Sequence, residues 1–199
     1  ELLRLILIRH GETLENASHI VQGHRPGCLS DKGKEQALQV AMRLKNEKFD
    51  AVYSSDLDRA FQTAIILMKD REGPPIITDK RLREQSFGIF EGKPVISLLR
   101  QMRREEANFT TFDPQGGEHF EDFQNRVKQF LEEIMTKYFG DTVVLVTHNG
   151  VIKVLLEILL PQPREGISEN LVMNGAISVL DIDRFGNVTT EAINCVEQL

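Results

Sequence analysis

Two histidines and two arginines follow short apolar segments of the chain. Arg9 and His10 come directly after the first such segment, Arg59 follows the second, and His148 follows a third. Open α/β sheets bind ligands beyond the carboxyl ends of their parallel strands, so residues at these positions are the first candidates for a site. A lone histidine is usually a core residue, but two of five at equivalent strand ends predict a shared site.

These residue types suit the transfer of a phosphoryl group. An imidazole flanked by guanidinium groups has a depressed pKa, so it stays neutral at pH 7 and one ring nitrogen can attack phosphorus. The planar fork of arginine gives paired hydrogen bonds to phosphoryl oxygens and offsets the charge that gathers there in the transition state. A second histidine, partly protonated, would add another donor. We therefore expect a small anion to bind in a local basic pocket.

Hydrolysis also requires a proton for the leaving oxygen and a base for the incoming water. Glu84 follows Arg83 in an irregular segment with cationic neighbours, so it is the best candidate for a carboxyl group that alternates between acid and base. Most of the 30 acidic residues must be solvated surface. Glu12, two residues after His10, is the main alternative.

The apolar segments predict strands, and the patterns between them predict helices. Short runs rich in Val and Ile are typical of parallel strands that helices cover on both faces. These runs are Leu5–Ile8, Ala51–Tyr53, Thr142–Val146 and Ala176–Ile182, with Asn187–Asn194 as a predicted edge strand. Apolar residues spaced mostly three or four apart place one buried face on each helix. They are Ala37, Leu38, Ala41 and Leu44; Ala60, Ala64 and Leu67; and Phe120, Phe123, Val127, Phe130, Leu131 and Ile134. The alternation predicts an α/β fold with a mostly parallel central sheet flanked by helices on both faces.

Residues 80–118 form the least regular stretch. Pro94, Pro114 and the glycine pair at 116–117 divide it into a loop, one helix over residues 96–107, and a second loop. Such an insertion over a sheet edge is where substrate-selecting residues are often found. The chain has no Ser-, Gly- or Pro-rich linker, which predicts a single domain over residues 1–199.

Composition excludes several classes of protein. The 199 residues carry 24 Lys plus Arg against 30 Asp plus Glu, and a net charge of -6 has the wrong sign for a nucleic-acid binder. Cys28 and Cys195 lie in unlike settings, which predicts reduced thiols. The longest apolar runs fall short of the roughly 18 residues of a membrane helix. We expect a cytoplasmic protein without nucleic-acid, membrane or obligate protein partners.

An ordered set of motifs covers most of the chain. The segments are Leu7-Ile8-Arg9-His10-Gly11-Glu12-Thr13, Gln22-Gly23, Ser54-Ser55-Asp56-Leu57 with Arg59, Leu82-Arg83-Glu84, Glu91-Gly92, Gly116-Gly117-Glu118 and Val146-Thr147-His148-Asn149-Gly150. In this order they resemble the histidine phosphatase superfamily, which is also called the phosphoglycerate mutase-like family. An Arg-His-Gly tripeptide alone would be weak evidence, whereas the ordered set is highly specific.

The resemblance implies a role for each residue at the predicted site. It implies that His10 is the nucleophile and forms a phosphohistidine, and that Arg9, Arg59 and His148 hold the phosphoryl group. It implies that Glu84 is the proton donor. The substrate is then a small phosphorylated metabolite.

Further residues match family positions near the phosphate. Asn16 and Gly23 match positions in the first loop that meet the phosphate, and Gln22 lies beside them. Asn149 matches a position whose backbone amide can reach the phosphate, and Lys93 is a candidate for contact with the rest of the substrate. The resemblance implies neither a metal nor another cofactor.

A zinc site is the competing interpretation of the same residues. His10, His148 and Glu84 are possible ligands, but Arg9 and Arg59 nearby would repel a cation. These charges favour an anion site over a metal site.

The segment from Arg81 to Glu118 looks like the glycolysis and apoptosis regulator group, which implies fructose-2,6-bisphosphatase activity. Lys93, Arg103 and Arg104 would then bind a second anionic group of the substrate. Each of these residues, taken singly, is more often a solvated surface charge. Arg100 belongs to the same set of candidates.

Three alternatives remain open. The first is a phosphoglycerate mutase. Mutases of this family place an arginine directly after the acid-base glutamate and a tyrosine two residues further on, where this chain has Gln85 and Phe87. This departure favours hydrolysis. A broad-specificity or α-ribazole phosphate phosphatase shares the Gln22-Gly23 and Glu91-Gly92 signals. The third is a phosphatase-like fold that only binds a partner protein. Loss of a catalytic residue would indicate it, but the chain has all five: Arg9, His10, Arg59, Glu84 and His148.

Overall fold

The computed structural model describes residues 1–160 and 171–199. Residues 161–170, which fall within the predicted domain 1–199, lie outside the described part. The helices are α1 (Leu14–Ala17), α2 (Asp31–Arg43), α3 (Asp58–Met68), α4 (Val95–Arg104), α5 (Phe120–Lys137) and α6 (Asn149–Leu159). The strands are β1 (Leu2–Arg9), β2 (Ala51–Ser54), β3 (Ile76–Thr78), β4 (Thr142–Thr147), β5 (Ile177–Asp183) and β6 (Val188–Cys195). Single 3₁₀ turns cover Lys80–Leu82 and Gly88–Phe90.

The six strands form one sheet in the order β3-β2-β4-β1-β5-β6. The first four of these are mutually parallel, whereas β5 runs antiparallel to β1, and β6 runs antiparallel to β5. The predicted α/β fold with a mostly parallel sheet is confirmed, and β6 is the edge strand that the sequence predicted. The sequence prediction missed the short edge strand β3.

Helices cover both faces of the sheet because the side chains of a strand alternate between its faces. In β1, Leu3, Leu5 and Leu7 pack with α5 and α6 on one face. Ile6 and Ile8 pack with α2 and α3 on the other face. Both sets are almost fully buried, which explains why the strand reads as a continuous apolar run rather than as an alternating one.

The insertion over residues 80–118 builds a small core of its own. Val21, Phe90, Leu98, Met102 and Phe112 pack together away from the sheet. This cluster holds α4 above the carboxyl ends of the strands. The helix begins one residue before the predicted start at 96 and ends at Arg104 rather than at 107.

One residue of the predicted helix faces was assigned to the wrong side. Leu38 on α2 is 46% exposed, because Ala37 and Val40 supply the buried face of that helix. Within the described ranges, no helix is long and apolar enough to cross a membrane.

Candidate active site

The order of the strands brings the predicted residues together. Strands β2, β4 and β1 are neighbours and parallel, so their carboxyl ends meet at one edge of the sheet. A cleft of about 340 Å³ opens there. Its lining includes Arg9, His10, Asn16, Gln22, Gly23, Arg59, Glu84 and Asn149. His148 lies beside His10, with 5.2 Å between the ring centroids.

His10 is oriented by its own segment of backbone. Its Nδ1 lies 2.7 Å from the carbonyl oxygen of Gly11, and because that oxygen can only accept, Nδ1 carries the hydrogen. The lone pair of the neutral ring is therefore on Nε2. Burial, and then the guanidinium groups of Arg59 and Arg9, lower the pKa of His10 well below its usual 6.5. The ring is a neutral nucleophile throughout the physiological pH range.

His148 is fully buried and is held by the residue that follows β2. Its Nε2 lies 2.8 Å from Ser55 Oγ, and its Nδ1 has no hydrogen-bond partner in the described part of the chain. Burial, Arg59 and His10 lower the pKa of His148 well below 6.5. Burial and the surrounding cations therefore favour a neutral ring, in contrast to the expected partly protonated second histidine. A neutral His148 can still donate one hydrogen bond to a phosphoryl oxygen.

The two arginines are anchored by backbone carbonyl groups rather than by carboxylates. Arg9 Nη1 donates to the carbonyl oxygen of Val172. Arg59 Nη2 donates to the carbonyl oxygen of Gly23 at 2.8 Å, and its Nη1 donates to that of Arg25. Burial lowers the pKa of each arginine to about 10, so both remain charged at pH 7. Neutral anchors leave their positive charge available to an anion in the cleft.

The loop that contains Gly23 requires a glycine at that position. Its φ is +53°, and a Cβ atom there would lie 2.0 Å from Glu91 Oε1. That oxygen accepts hydrogen bonds from the backbone N–H groups of His24 and Phe87 at 2.9 and 3.0 Å. Glu91 thus ties the first loop of the cleft to the insertion.

Glu84 lies at the amino terminus of α6. Its Oε2 accepts the backbone N–H of Gly150 at 3.0 Å, and its Oε1 accepts that of Gln85 at 3.0 Å. A Cβ atom at Gly150 would lie 2.2 Å from Glu84 Oε1, so glycine is needed for this approach. Glu12 is not among the cleft residues, and its Oε1 accepts from Ser30 Oγ at 2.8 Å. The geometry therefore favours Glu84 over Glu12.

The remaining first-loop residues form a hydrogen-bonded network at the rim. Asn16 Oδ1 accepts from the backbone N–H of Thr13 at 3.1 Å and from Asn174 Nδ2 at 3.2 Å. Gln22 Oε1 accepts from Thr13 Oγ1 at 2.9 Å. Asn149 is the first residue of α6, and its Oδ1 accepts a hydrogen bond from the backbone N–H of Val172 at 2.9 Å.

The basic residues of the insertion lie elsewhere. Lys93, Arg100, Arg103 and Arg104 are exposed, and none of them lines the cleft. Lys93 Nζ instead lies 5.7 Å from the centroid of the Phe90 ring. The wall that the insertion contributes to the cleft is largely apolar: Phe87, Val95, Leu98 and Phe109 line it.

Sequence reasoning missed Lys153, a half-buried residue that lines the cleft. It lies four residues after Asn149 on α6, so it shares a helix face with the start of that helix. Burial lowers its pKa, and the charge of Glu84 acts in the opposite direction. The four-residue spacing from Asn149 to Lys153 was the signal that could have identified it.

Within residues 1–160 and 171–199, no group of three or more His, Cys, Asp or Glu side chains is arranged to hold a metal ion. Cys28 and Cys195 are free thiols. Arg9 and Arg59 supply the charge of the cleft floor. The donor set of the described site therefore suits an anion better than a cation.

Known proteins share both the sequence and the fold. A phosphoglycerate mutase-like protein 4 from Arabidopsis thaliana is 39% identical over 168 residues, covering 81% of this chain and 73% of that protein. An adenosylcobalamin/alpha-ribazole phosphatase from Escherichia coli K12 is 32% identical over 189 residues, covering 92% and 91%. The structure of Bacillus stearothermophilus YhfR superposes with a TM-score of 0.87 at 29% identity, covering 98% of each chain. The family description "Histidine phosphatase superfamily (branch 1)" matches residues 5–195, and the chain belongs to this superfamily.

Proposed function

We propose that this protein is a phosphomonoesterase that works through a phosphohistidine at His10. The observation that carries the proposal is the hydrogen bond from His10 Nδ1 to the Gly11 carbonyl, which leaves the lone pair on Nε2 in a cleft with Arg9 and Arg59. Membership of a phosphatase superfamily supports the same conclusion.

Each step of the reaction has a residue available. His10 Nε2 attacks phosphorus while the ester P–O bond breaks, and protonated Glu84 gives its proton to the leaving oxygen. Arg9, Arg59 and His148 stabilise the charge on the phosphoryl oxygens. A water molecule then attacks phosphorus with Glu84 taking its proton, the N–P bond breaks, and inorganic phosphate leaves.

The residues that line the cleft favour a monophosphate with an apolar body over fructose 2,6-bisphosphate. A second phosphate needs several cations, and the basic residues expected for that task, Lys93, Arg103 and Arg104, are exposed outside the cleft. Lys153 does line the cleft, but Glu157 lines it as well and offsets its charge. Phe87 and Phe109 form part of the wall beside the phosphoryl site, with 6.5 Å between their ring centroids. The broad-specificity alternative, to which the α-ribazole phosphatase relative also points, therefore has more support.

Mutase activity has less support from the geometry. Gln85 is buried, and its uncharged side chain donates from Nε2 to the backbone carbonyl of Glu118 at 3.1 Å, so it offers no cation to a substrate carboxylate. Phe87 has no polar group to offer. Because the Arabidopsis relative is named as mutase-like, mutase activity should be measured directly as conversion of 3-phosphoglycerate to 2-phosphoglycerate. We expect no conversion.

The proposal is tested by quenching the enzyme with alkali during turnover of p-nitrophenyl phosphate. We expect one phosphoryl group per chain, stable in base and labile in acid, mapped to His10 by mass spectrometry. EDTA should leave the rate unchanged, and vanadate should inhibit. Turnover without labelling of His10 would overturn the mechanism, and absence of turnover on all phosphate esters would favour a binding protein.

A further inference from the structure

The backbone segment that carries Glu84, residues 83–86, forms no helix or strand. One side chain of α5 holds it. Arg126 Nη1 donates to the carbonyl oxygens of Arg81 and Arg83 at 2.9 and 2.7 Å, and Arg126 Nη2 donates to the carbonyl oxygen of Glu84 at 2.9 Å. A single planar guanidinium therefore fixes three peptide groups at and just before the carboxyl-bearing residue.

A carboxylate from the end of the insertion completes the arrangement. Glu118 accepts hydrogen bonds from Arg126 Nε and Nη2 at 2.7 and 2.9 Å, and from the backbone N–H of Ser86 at 2.9 Å. Although burial acts to raise it, the hydrogen bonds from Arg126 bring the pKa of Glu118 down to about 2. The pair is thus charged over the whole working pH range, and it holds the segment on both sides of Glu84.

The carboxyl group of Glu84 needs such support. Its two oxygens accept only backbone N–H groups among the described residues, those of Gln85 and Gly150. The contact with Gly150 leaves no room for adjustment, because a single carbon added to Gly150 would collide with Glu84. The position of the Glu84 carboxyl group therefore depends on the position of the backbone of residues 83–86.

We infer that Arg126 and Glu118 are positioning residues for proton transfer: they hold the backbone of Glu84 so that its carboxyl group reaches the leaving oxygen. This inference rests on the proposed role of Glu84 in the phosphatase reaction. Neither residue lines the cleft, so neither touches the substrate. Their hydrogen bonds act on the backbone of Glu84, so their loss should be selective for steps that need a proton.

The chain offers a matched control in Arg81. Its guanidinium also pairs with carboxylates, those of Asp79 and Glu133, and it also lies over a phenylalanine ring of α5. Unlike Arg126, its side chain makes no hydrogen bond to the backbone of residues 83–86. Substitution of Arg81 therefore removes a similar ion pair from the same region without releasing Glu84.

The experiment measures kcat/KM for a series of phosphomonoesters whose leaving groups range from p-nitrophenol to simple alcohols. In Arg126→Met we expect a loss of about 10- to 100-fold with alkyl esters and less than about 3-fold with p-nitrophenyl phosphate, since general acid help typically amounts to 10²–10⁴-fold. The logarithm of kcat/KM should depend more steeply on leaving-group pKa than in the wild type. Arg81→Met should retain the wild-type slope. In Arg126→Ala, added guanidinium should restore alkyl ester turnover.

Two results would overturn the inference while leaving the proposed function intact. One is an Arg126→Met enzyme whose kcat/KM matches that of Arg81→Met on every ester, with His10 still labelled. The other is an equal loss on all esters, which would indicate a structural role. Glu118→Gln supplies the same test if Arg126→Met does not fold. Failure of the proposed function itself would show separately, as a wild-type enzyme that never labels His10.

Discussion

The floor and the insertion wall of the cleft are built in different ways. The floor lies at the ends of buried strands, where His10, His148, Arg9 and Arg59 are all at most 6% exposed. Backbone carbonyl groups or a buried hydroxyl fix each of these side chains. The wall belongs to the irregular insertion, and its residue Phe109 is 51% exposed.

This contrast separates chemistry from selection. A floor that is rigid before the substrate arrives can stabilise developing charge without reorganising, whatever the rest of the molecule is. An apolar, partly exposed wall contributes mainly contact area, which discriminates weakly between bodies of similar shape. Substitutions in the floor should therefore affect all substrates, and substitutions in the wall only some.

The largest effect should follow the loss of the nucleophile. His10→Ala removes the group that accepts the phosphoryl moiety, and we expect kcat to fall about 10⁵-fold or more on every substrate, as for other enzymes that lose a nucleophile. His19→Ala is the matched control, because His19 is exposed and lies outside the cleft. The measurement is the steady-state rate of both variants on p-nitrophenyl phosphate and on an alkyl phosphate. Substantial residual turnover in His10→Ala would place the nucleophile elsewhere.

A smaller and substrate-dependent loss should follow Glu84→Gln. The amide cannot donate an acidic proton, so kcat/KM for alkyl phosphates should fall by about 10²–10⁴-fold. The loss of kcat/KM should be small for p-nitrophenyl phosphate, because kcat/KM reports only the first step and p-nitrophenolate leaves with little help. Glu12→Gln serves as the control, since Glu12 bonds to Ser30 away from the cleft. Equal losses on both substrate classes would move the proton transfer away from Glu84.

The strand ends could be predicted from the sequence because each strand leads directly into its functional residues. Arg9-His10 and Thr147-His148 continue β1 and β4, and adjacent parallel strands leave no choice about where those residues meet. The edge strand β3 was missed because it has only three residues and follows two prolines. The antiparallel direction of β5 was not predicted either, since a buried apolar run looks the same in both directions.

The insertion could not be resolved in the same way. Its charges lie on a short helix, and which face that helix turns inward depends on what it packs against. Leu98 and Met102 face the small core, and this directs Arg103 and Arg104 to solvent. Arg126 was hidden for a related reason, because its partners are backbone carbonyl groups that no sequence pattern records.

The pH dependence of stability should report the buried histidines of the floor. In the folded protein the pKa values of His10 and His148 lie well below 6.5, the value they regain on unfolding. Below about pH 6.5 the unfolded chain therefore binds more protons, and the free energy of unfolding falls as the pH drops.

Urea unfolding at pH 7.5 and pH 5.5 measures this loss. We expect the loss in His10→Gln to be about 1 kcal/mol smaller than in the wild type, because one of the two contributing groups is gone. His19→Gln, which changes an exposed histidine, should show the wild-type loss. An identical loss in His10→Gln would mean that His10 is protonated as easily in the folded chain as in the unfolded one.

The smallest effects should come from the charges that surround the wall. Lys153 lines the cleft, so Lys153→Met should lower the ratio of kcat/KM for 3-phosphoglycerate to that for glycerol 3-phosphate, two substrates that differ by a carboxylate. A charge-assisted hydrogen bond is typically worth about 10-fold or somewhat more.

The triple variant Lys93→Ala, Arg103→Ala, Arg104→Ala should change that ratio less than about 2-fold, because these side chains are exposed and outside the cleft and exposed charges interact weakly through water. The same ratio should also be measured at high ionic strength, which screens exposed charges more than half-buried ones. Any effect of the triple variant should then vanish, while that of Lys153→Met persists. A ratio that falls in the triple variant and not in Lys153→Met would show that the insertion moves its charged helix face over the substrate, and the division between a catalytic floor and an apolar wall would then have to be redrawn.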